Sequence, residues 1–481
     1  MIIQGGMGAA VSNWRLARTV SRLGHLGVVS GTALDQVFAR RLQDGDPGGH
    51  MRRGLDHLPF PQMADRLWNA YYIPGGKPPN KPYKRQPLHA KDNPRELQEL
   101  CIAANFVEVF LAREGHGNAV GMNYLEKVQI PHLPSIYGAM LAGVDYILMG
   151  AGIPLKIPGV LNAFANHQPA SYPLQVTGAQ EGDDVTMHFA PRDFIEHDLA
   201  PLQRPQFIAI IASNTLAITM VKKANGRVDG FIIEGPTAGG HNAPPRGKLE
   251  LNELGEPIYG ERDRVNLDKL RELGLPFWLA GGYGSPEKLR EALDAGAAGV
   301  QVGTAFAFCR ESGLSDAYKQ TILQNVQRGE VGVFTDPLAS PTHFPFKVVQ
   351  VEGSVSEEAV YAARPRVCDL GYLREAYRNP EGNIGYRCSG EPATVYTAKG
   401  GKLIETIGRK CLCNGLLANI GHPQVRNGYV EQGLVTSGND LNTLRQFAPA
   451  TGWDYRAADV IDKLMVGVMD HVGVSGQECF G

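Results

Sequence analysis

Two glycine-bearing segments, one structural repeat apart, could bind a phosphate group. They are Leu279-Ala-Gly-Gly-Tyr-Gly284 and Val300-Gln-Val-Gly-Thr-Ala-Phe306, and each includes or follows a short apolar run. Glycines let a phosphate approach backbone N–H groups, and the first turn of a following helix favours negative charge. Glycines also serve tight strand-to-helix turns, but two such segments on consecutive repeats favour a phosphate site. Its expected members are Gly281, Gly282, Gly303 and Thr304.

A second segment, Ile233-Glu-Gly-Pro-Thr-Ala-Gly-Gly-His-Asn242, follows another apolar run and places a histidine directly after two glycines. Histidine titrates near neutral pH, and the glycines would let a planar cofactor approach it. This combination suits abstraction of a proton from a carbon acid. A single loop histidine is often only a surface residue, and the chain has 13 histidines. Its position after a strand nevertheless makes His241 the expected catalytic base.

Four of the seven cysteines lie close together in the C-terminal part of the sequence: Cys368, Cys388, Cys411 and Cys413. Four thiolates could hold zinc or an iron–sulfur cluster, but the usual spacing is C-x₂₋₄-C and this set has only one close pair. We therefore expect reduced thiols packed as small apolar side chains, without a tightly bound metal. A metal site, or a redox thiol at Cys411 or Cys413, stays open as an alternative.

Eight short apolar runs could form buried parallel strands, and amphipathic stretches lie between several of them. In 286–295, for example, Leu289 and Leu293 share one face with alanines under a charged face. Parallel strands need crossover helices, and eight such units in about 305 residues fit a closed (β/α)₈ (TIM) barrel. The expected strands are 2–4, 26–30, 119–123, 144–149, 207–212, 228–234, 277–280 and 299–303.

Two long insertions interrupt the predicted barrel. Segment 31–118 follows the second strand and includes a basic, proline-rich stretch, 74–87, which is either a solvated loop or a lid or cofactor-docking arm over the barrel mouth. Segment 153–206 contains two alternating pieces, 173–177 and 185–189, that suggest a hairpin. The repeat pattern stops near Thr335, where a proline-punctuated linker begins. We therefore predict a barrel over 1–335 and a C-terminal module of unknown role over 336–481.

Composition limits the function classes. Lys plus Arg number 47 and Asp plus Glu number 49, so a net charge of −2 gives no field that would attract nucleic acid or an anionic membrane. The sequence shows no export signal and no run of about 18 apolar residues. The expectation is a globular cytoplasmic protein whose partners are small molecules, with neither nucleic acid nor membrane among them.

Taken in order, six segments resemble the motif series of the nitronate monooxygenase (2-nitropropane dioxygenase) family. That family includes or lies close to flavin-dependent NADH:quinone reductases and FMN-type enoyl-acyl-carrier-protein reductases. The segments are Ile2-Ile-Gln-Gly-Gly-Met-Gly8, Gly121-Met-Asn123, Val144-Asp-Tyr-Ile-Leu-Met-Gly150, Glu234-Gly-Pro-Thr-Ala-Gly-Gly-His241, Ala280-Gly-Gly282 and Gln301-Val-Gly-Thr-Ala-Phe306.

The resemblance implies FMN across the barrel mouth. Gly6 and Met7 would lie against the isoalloxazine ring, Asn123 would bond its polar edge, and Ser213 and Glu234 would contact the ring or ribityl chain. Gly240 joins the expected cofactor-binding residues, and the glycines named above, with Thr304, would hold the phosphate. His241 matches the family's catalytic histidine, which implies oxidation of alkyl nitronates by molecular oxygen to a carbonyl compound and nitrite.

Three other functions stay open. The basic residues from Lys77 to Arg85 would suit the phosphates of NAD(P)H, coenzyme A or an acyl-carrier arm, as in a reductase of quinones or enoyl thioesters. The sequence gives only weak support for a Rossmann dinucleotide site. Gly5-Gly-Met-Gly8 lacks the G-x-G-x-x-G spacing, and Ser30-Gly-Thr32 stands where an acidic residue is expected. The third alternative function is a non-catalytic flavin-binding subunit, in which the C-terminal module would serve docking or homodimerisation.

Overall fold

Eight parallel strands form a closed barrel in the computed structural model, which describes residues 1–180, 182–447 and 454–468. Each strand pairs with its neighbours in sequence order, and β1 closes the barrel by pairing with β8, with Ile2 opposite Val300. The TIM-barrel prediction is confirmed. The strands are β1 Ile2–Gln4, β2 Leu26–Ser30, β3 Val120–Leu125, β4 Tyr146–Gly150, β5 Gln206–Ile211, β6 Gly230–Glu234, β7 Phe277–Ala280 and β8 Gly299–Val302.

The strands are mostly apolar because most of their side chains are buried on either face of the barrel wall. Side chains that include Ile3, Val28, Leu148, Ile232 and Trp278 fill the barrel interior. Helices cover the outer face, which is why the sequence shows continuous apolar runs rather than alternation. The helices of the barrel layer are Trp14–Arg22, His132–Leu141, Ile157–Ala165, Asn214–Lys223, Leu267–Arg271, Pro286–Asp294, Thr304–Ala307 and Asp316–Arg328.

The insertion after β2 is largely helical, with helices Leu34–Gln43, His50–Leu55, Pro61–Tyr71 and Arg95–Arg113. Its proline-rich stretch has no helix or strand, as the sequence predicts. In the second insertion, the hairpin is formed by Ala170–Pro173 and Thr186–Phe189, so the first predicted piece lies too late in the chain. Val176–Thr177 instead pairs with Glu375–Arg378 from the C-terminal part.

The C-terminal residues pack over the barrel mouth. Val333–Asp336 spans the predicted boundary at Thr335 and pairs with Phe346–Val349 in an antiparallel ribbon. The boundary itself stays a prediction. The remaining elements are strands Glu375–Arg378, Ile384–Arg387, Val425–Arg426 and Tyr429–Val430, and helices Glu358–Ala363, Ala393–Ala398, Leu412–Ala418 and Ala457–Met465.

Short 3₁₀ turns complete the described chain at Pro191–Asp193, Glu261–Asp263, Leu403–Thr406 and Leu441–Gln446. Over the described ranges, every helix is too short or too polar to cross a lipid bilayer.

Candidate active site

A cavity of about 240 Å³ lies at the carboxyl ends of the barrel strands. Loops after β1, β3, β6, β7 and β8 form its floor, and C-terminal residues, including Tyr372, Leu412 and Val435, form its roof. The carboxyl ends of the strands are where enzymes with this fold carry their active sites. No sequence motif predicted that these C-terminal residues would cover the cavity.

The cavity brings together all but one of the residues predicted from the sequence. Those that line it are Gly6, Met7, Asn123, Glu234, Gly240, His241, Gly281, Gly282, Gly303 and Thr304. Ser213 is the exception. Its hydroxyl caps helix Asn214–Lys223 by accepting from the N–H of Leu216 at 3.0 Å, and it lines a smaller neighbouring cavity that shares Glu234. The structure therefore does not place Ser213 with the other residues.

Two of the glycines predicted to hold phosphate have a backbone conformation that favours glycine. Gly281 and Gly282 have φ values of +93° and +77°, a region that side-chain-bearing residues rarely adopt. Gly303 precedes helix Thr304–Ala307, and a Cβ there would meet the sulfur of Met7 at 3.5 Å. Close backbone approach is therefore available at the ends of both β7 and β8.

A C-terminal loop, 436–440, contacts this same glycine-rich floor. The hydroxyl of Thr304 donates to the carboxylate of Asp440 at 2.6 Å and accepts from the N–H of Gly438 at 3.1 Å. Burial raises the pKa of Asp440, and the hydrogen bond from Thr304 opposes this. Sequence reasoning missed Asp440, since its polar loop carries no motif linking it to a phosphate site 136 residues earlier.

Two residues that line the cavity carry buried acceptor atoms without a partner in the described chain. Among the residues that the structure describes, Asn123 Oδ1 and Gln301 Oε1 are buried without a hydrogen-bond partner, and both residues line the cavity. The amide nitrogen of Asn123 donates to the carbonyl of Gly6 at 3.3 Å, which orients the side chain. Buried polar atoms are normally satisfied, so these two acceptors call for donors from a bound molecule.

His241 is held by residues from the C-terminal part. Its Nε2 lies 2.6 Å from the hydroxyl oxygen of Ser340, and its ring meets the ring of Phe346 edge-on at 4.8 Å between centroids. Burial lowers the pKa of His241 to about 4. The imidazole is therefore neutral at neutral pH and can accept a proton. Its loop is fixed by Gly240, whose N–H donates to Thr436 Oγ1 at 2.8 Å.

Glu234 and Lys347 are two buried ionisable side chains near this histidine loop, and the charge of each affects the pKa of the other. Burial raises the pKa of Glu234 to about 8, and the charge of Lys347 opposes that rise. Burial likewise lowers the pKa of Lys347 to about 8, although its ammonium donates to Thr335 Oγ1 at 2.7 Å. At neutral pH, the protonated carboxyl of Glu234 can act as a hydrogen-bond donor toward the cavity.

The fold and this cavity define a (β/α)₈-barrel protein with a glycine-lined pocket at the carboxyl ends of its strands. The family model for nitronate monooxygenase matches residues 185–333, which contain β5 to β8 and His241. The sequence resemblance to the nitronate monooxygenase family is thereby confirmed.

Two curated relatives are nitronate monooxygenases. The protein from Pseudomonas aeruginosa is 30% identical over 188 residues, which is 38% of this chain and 50% of the relative. The protein from Paraburkholderia phytofirmans is 26% identical over 241 residues, which is 49% of this chain and 61% of the relative. The matches thus span about half to three fifths of each relative's length. A solved structure, FabK from Thermotoga maritima, aligns with 98% of this chain and 93% of its own at 15% identity and a TM-score of 0.47.

Proposed function

We propose that this protein is an FMN-dependent oxidoreductase that oxidises alkyl nitronates with molecular oxygen to a carbonyl compound and nitrite. The observation that carries the proposal is that His241, the glycine floor and the two unpaired acceptors of Asn123 and Gln301 open into one cavity. The resemblance to nitronate monooxygenases supports the same chemistry.

The residues present fit FMN at both ends. Asn123 Oδ1 and Gln301 Oε1 would accept hydrogen bonds from donors on the isoalloxazine ring, and Gly6 and Met7 would lie against that ring. Gly281, Gly282 and Gly303 would expose backbone N–H groups to the phosphate, and a glycine floor with one phosphate-sized region suits FMN rather than FAD. Bound FMN would supply the electron acceptor for the substrate and the site of reaction with oxygen.

His241 would act as the base toward a neutral nitroalkane. A neutral imidazole accepts the proton from the carbon next to the nitro group, and Ser340 holds the ring in place through Nε2. For an alkyl nitronate, which lacks that proton, His241 would orient the anion instead. Protonated Glu234 would donate to an oxygen of the ribityl chain or ring without placing a second negative charge beside the substrate.

Release of the cofactor from purified protein tests the flavin assignment. We expect about one FMN per chain after denaturation, and no FAD. Gly303→Leu should lose FMN, because its side chain would extend toward Met7 and the phosphate position. Gly117→Leu is the matched control: Gly117 is exposed and a Cβ there meets nothing within 4 Å. A colourless protein that binds no added FMN, or full FMN in Gly303→Leu, would exclude this site.

A reductase of quinones or enoyl thioesters is the second candidate function. The basic stretch that favours it does not line the cavity. Within the described chain, the residues that line the cavity include none from the basic stretch 77–85. Lys77 lies over the ring of Tyr83 at 4.3 Å, and Lys84 lies over the ring of Tyr71 at 5.1 Å. Lys77 and Lys84 therefore pack within the insertion, and the stretch 77–85 offers no support for docking of NAD(P)H, the hydride donor that would reduce FMN in a reductase.

A further inference from the structure

The fold gathers four cysteines that the sequence spacing leaves apart. A small cavity behind the candidate active site is lined by Cys368, Cys388, Cys411 and Cys413. The same cavity shares Leu373, Leu412 and Cys413 with the main cavity, so one layer of side chains separates them. None of the described cysteines is in a disulfide.

The four cysteines share one small pocket, and burial there raises the pKa of the Cys368, Cys388 and Cys413 thiols. The positive charge of Arg374 opposes that rise in pKa at Cys368. Several thiolates at such a buried place require compensating positive charge, which a metal centre supplies most directly.

A hydrogen-bond donor already points at one of the sulfurs, because the amide of Asn414 donates to Cys411 Sγ at 3.6 Å. The backbone at Gly390 opposes the rise in pKa of Cys388, and the backbone at Tyr372 and Leu373 opposes the rise in pKa of Cys413. Donors around the ligand sulfurs are characteristic of iron–sulfur sites, where they stabilise the thiolates and adjust the reduction potential.

The spacing of the sulfurs distinguishes between metal centres. A single tetrahedral zinc with bonds of about 2.3 Å keeps its sulfurs about 3.8 Å apart. Over the ranges that the structure describes, the one group of three or more potential ligands with all ligand atoms within 4.8 Å is Asp35, His89 and Cys101. No three of the four sulfurs are therefore at zinc spacing. A polynuclear cluster, in which cysteines bind different irons, holds its ligands farther apart.

We propose that Cys368, Cys388, Cys411 and Cys413 are the four ligands of an iron–sulfur cluster next to the active-site cavity. The proposal replaces the expectation of no tightly bound metal, which rested on linear spacing alone. It does not depend on the identity of the substrate or of the flavin.

The test is anaerobic purification after expression with added iron and cysteine, followed by measurement of iron, acid-labile sulfide and the electron paramagnetic resonance spectrum after dithionite reduction. We expect about two or about four irons per chain with equal sulfide, according to cluster type, and a signal from the reduced cluster. Absence of labile sulfide, before and after reconstitution with iron and sulfide, would overturn the proposal. Stoichiometric zinc without iron would overturn it as well.

Variants locate the cluster. Cys388 and Cys411 line only the cysteine cavity, so Cys388→Ser and Cys411→Ser should each lose most of the iron and sulfide, while far-ultraviolet circular dichroism reports on folding. Cys309→Ser is the control, because Cys309 is buried elsewhere and donates to the carbonyl of Phe306 at 3.1 Å. It should keep the wild-type content. Full cluster content in both cavity variants would show that these cysteines are not the ligands.

Discussion

The hydroxyl of Thr304, at the end of β8, donates a 2.6 Å hydrogen bond to the carboxylate of Asp440, so a C-terminal acid lies against the glycine floor. If FMN phosphate binds this floor, an ionised Asp440 repels it. Asp440→Asn should keep the acceptor for Thr304 and tighten FMN binding by about tenfold, or about 1.4 kcal/mol, as measured by fluorescence titration.

The pH dependence of this effect has a defined sign. Because burial raises the pKa of Asp440, its proton is retained to higher pH than for a free aspartate. Wild-type FMN affinity should therefore improve as pH falls from neutrality toward that pKa, and the Asn variant should lack this component. Riboflavin, which has no phosphate, is the control and should bind both proteins equally. Equal gains for riboflavin and FMN would mean that the phosphate is not near Asp440.

His241 should be required for a neutral nitroalkane more than for its nitronate. His241→Asn removes the base but retains a polar side chain, so FMN should stay bound while nitroalkane turnover falls by about 10²-fold or more. If the histidine acts only as base, preformed nitronate should keep much of its activity. Wild-type rates on both substrates would contradict the assignment.

The lowered pKa of His241 also predicts how kcat/KM for a nitroalkane depends on pH on the acid side of neutrality. A base with a pKa of about 4 stays unprotonated at all higher pH values. Between about pH 5 and about pH 7, kcat/KM for nitroalkane should therefore show no histidine titration near 6.5. A limb at about 6.5 that disappears in His241→Asn would show that the ring is far better solvated in the free enzyme.

Glu234 should make FMN affinity depend on pH on the alkaline side of neutrality. Its carboxyl is protonated below a pKa of about 8, so a donor role toward the flavin is lost as pH rises through that value. Wild-type FMN affinity should fall above about pH 8, whereas Glu234→Gln, which keeps an amide donor, should lack that fall. Loss of flavin from the Gln variant at neutral pH would instead assign an ionised carboxylate to this position.

The C-terminal part should depend on a buried ion pair for stability. Arg364 donates two hydrogen bonds to Glu431, at 3.0 and 2.7 Å, and the two side chains are 2% and 1% exposed. Glu431→Gln leaves the guanidinium without its countercharge and should lower the free energy of unfolding by about 3 kcal/mol in urea titrations. The control is Glu330→Gln, whose pair with Arg328 is about 63% exposed and should show no measurable change.

The barrel could be predicted from the sequence because each of its strands is a short apolar run buried on both faces. The floor of the cavity could also be predicted, since Gly281 and Gly282 lie directly after β7 and His241 lies in the glycine-rich loop after β6. Ser213 shows the limit: it lies near the same edge, but its hydroxyl is used as a helix cap. The position of a residue at the end of a strand does not determine which group its side chain hydrogen-bonds to.

The roof of the cavity could not be predicted. Asp440, Ser340 and Lys347 reach the site only through long-range contacts of polar loops and a ribbon, and no periodicity marks such contacts. The four-cysteine cavity could not be predicted for the same reason. Cys368 and Cys411 are 43 positions apart in the chain, and the packing of Leu412–Ala418 against its neighbours brings them together.

The central claim is flavin oxidation of nitronates, and one measurement addresses it directly: anaerobic mixing of the FMN-loaded protein with single substrates while flavin absorbance is followed. The panel is propionate-3-nitronate, a nitroalkane, NADH, NADPH and a crotonyl thioester. We predict that the nitronate bleaches the flavin, that NADH and NADPH do not, and that admitted oxygen restores the colour with release of nitrite. Bleaching by NADH or NADPH and none by nitronate would contradict the claim and identify a reductase.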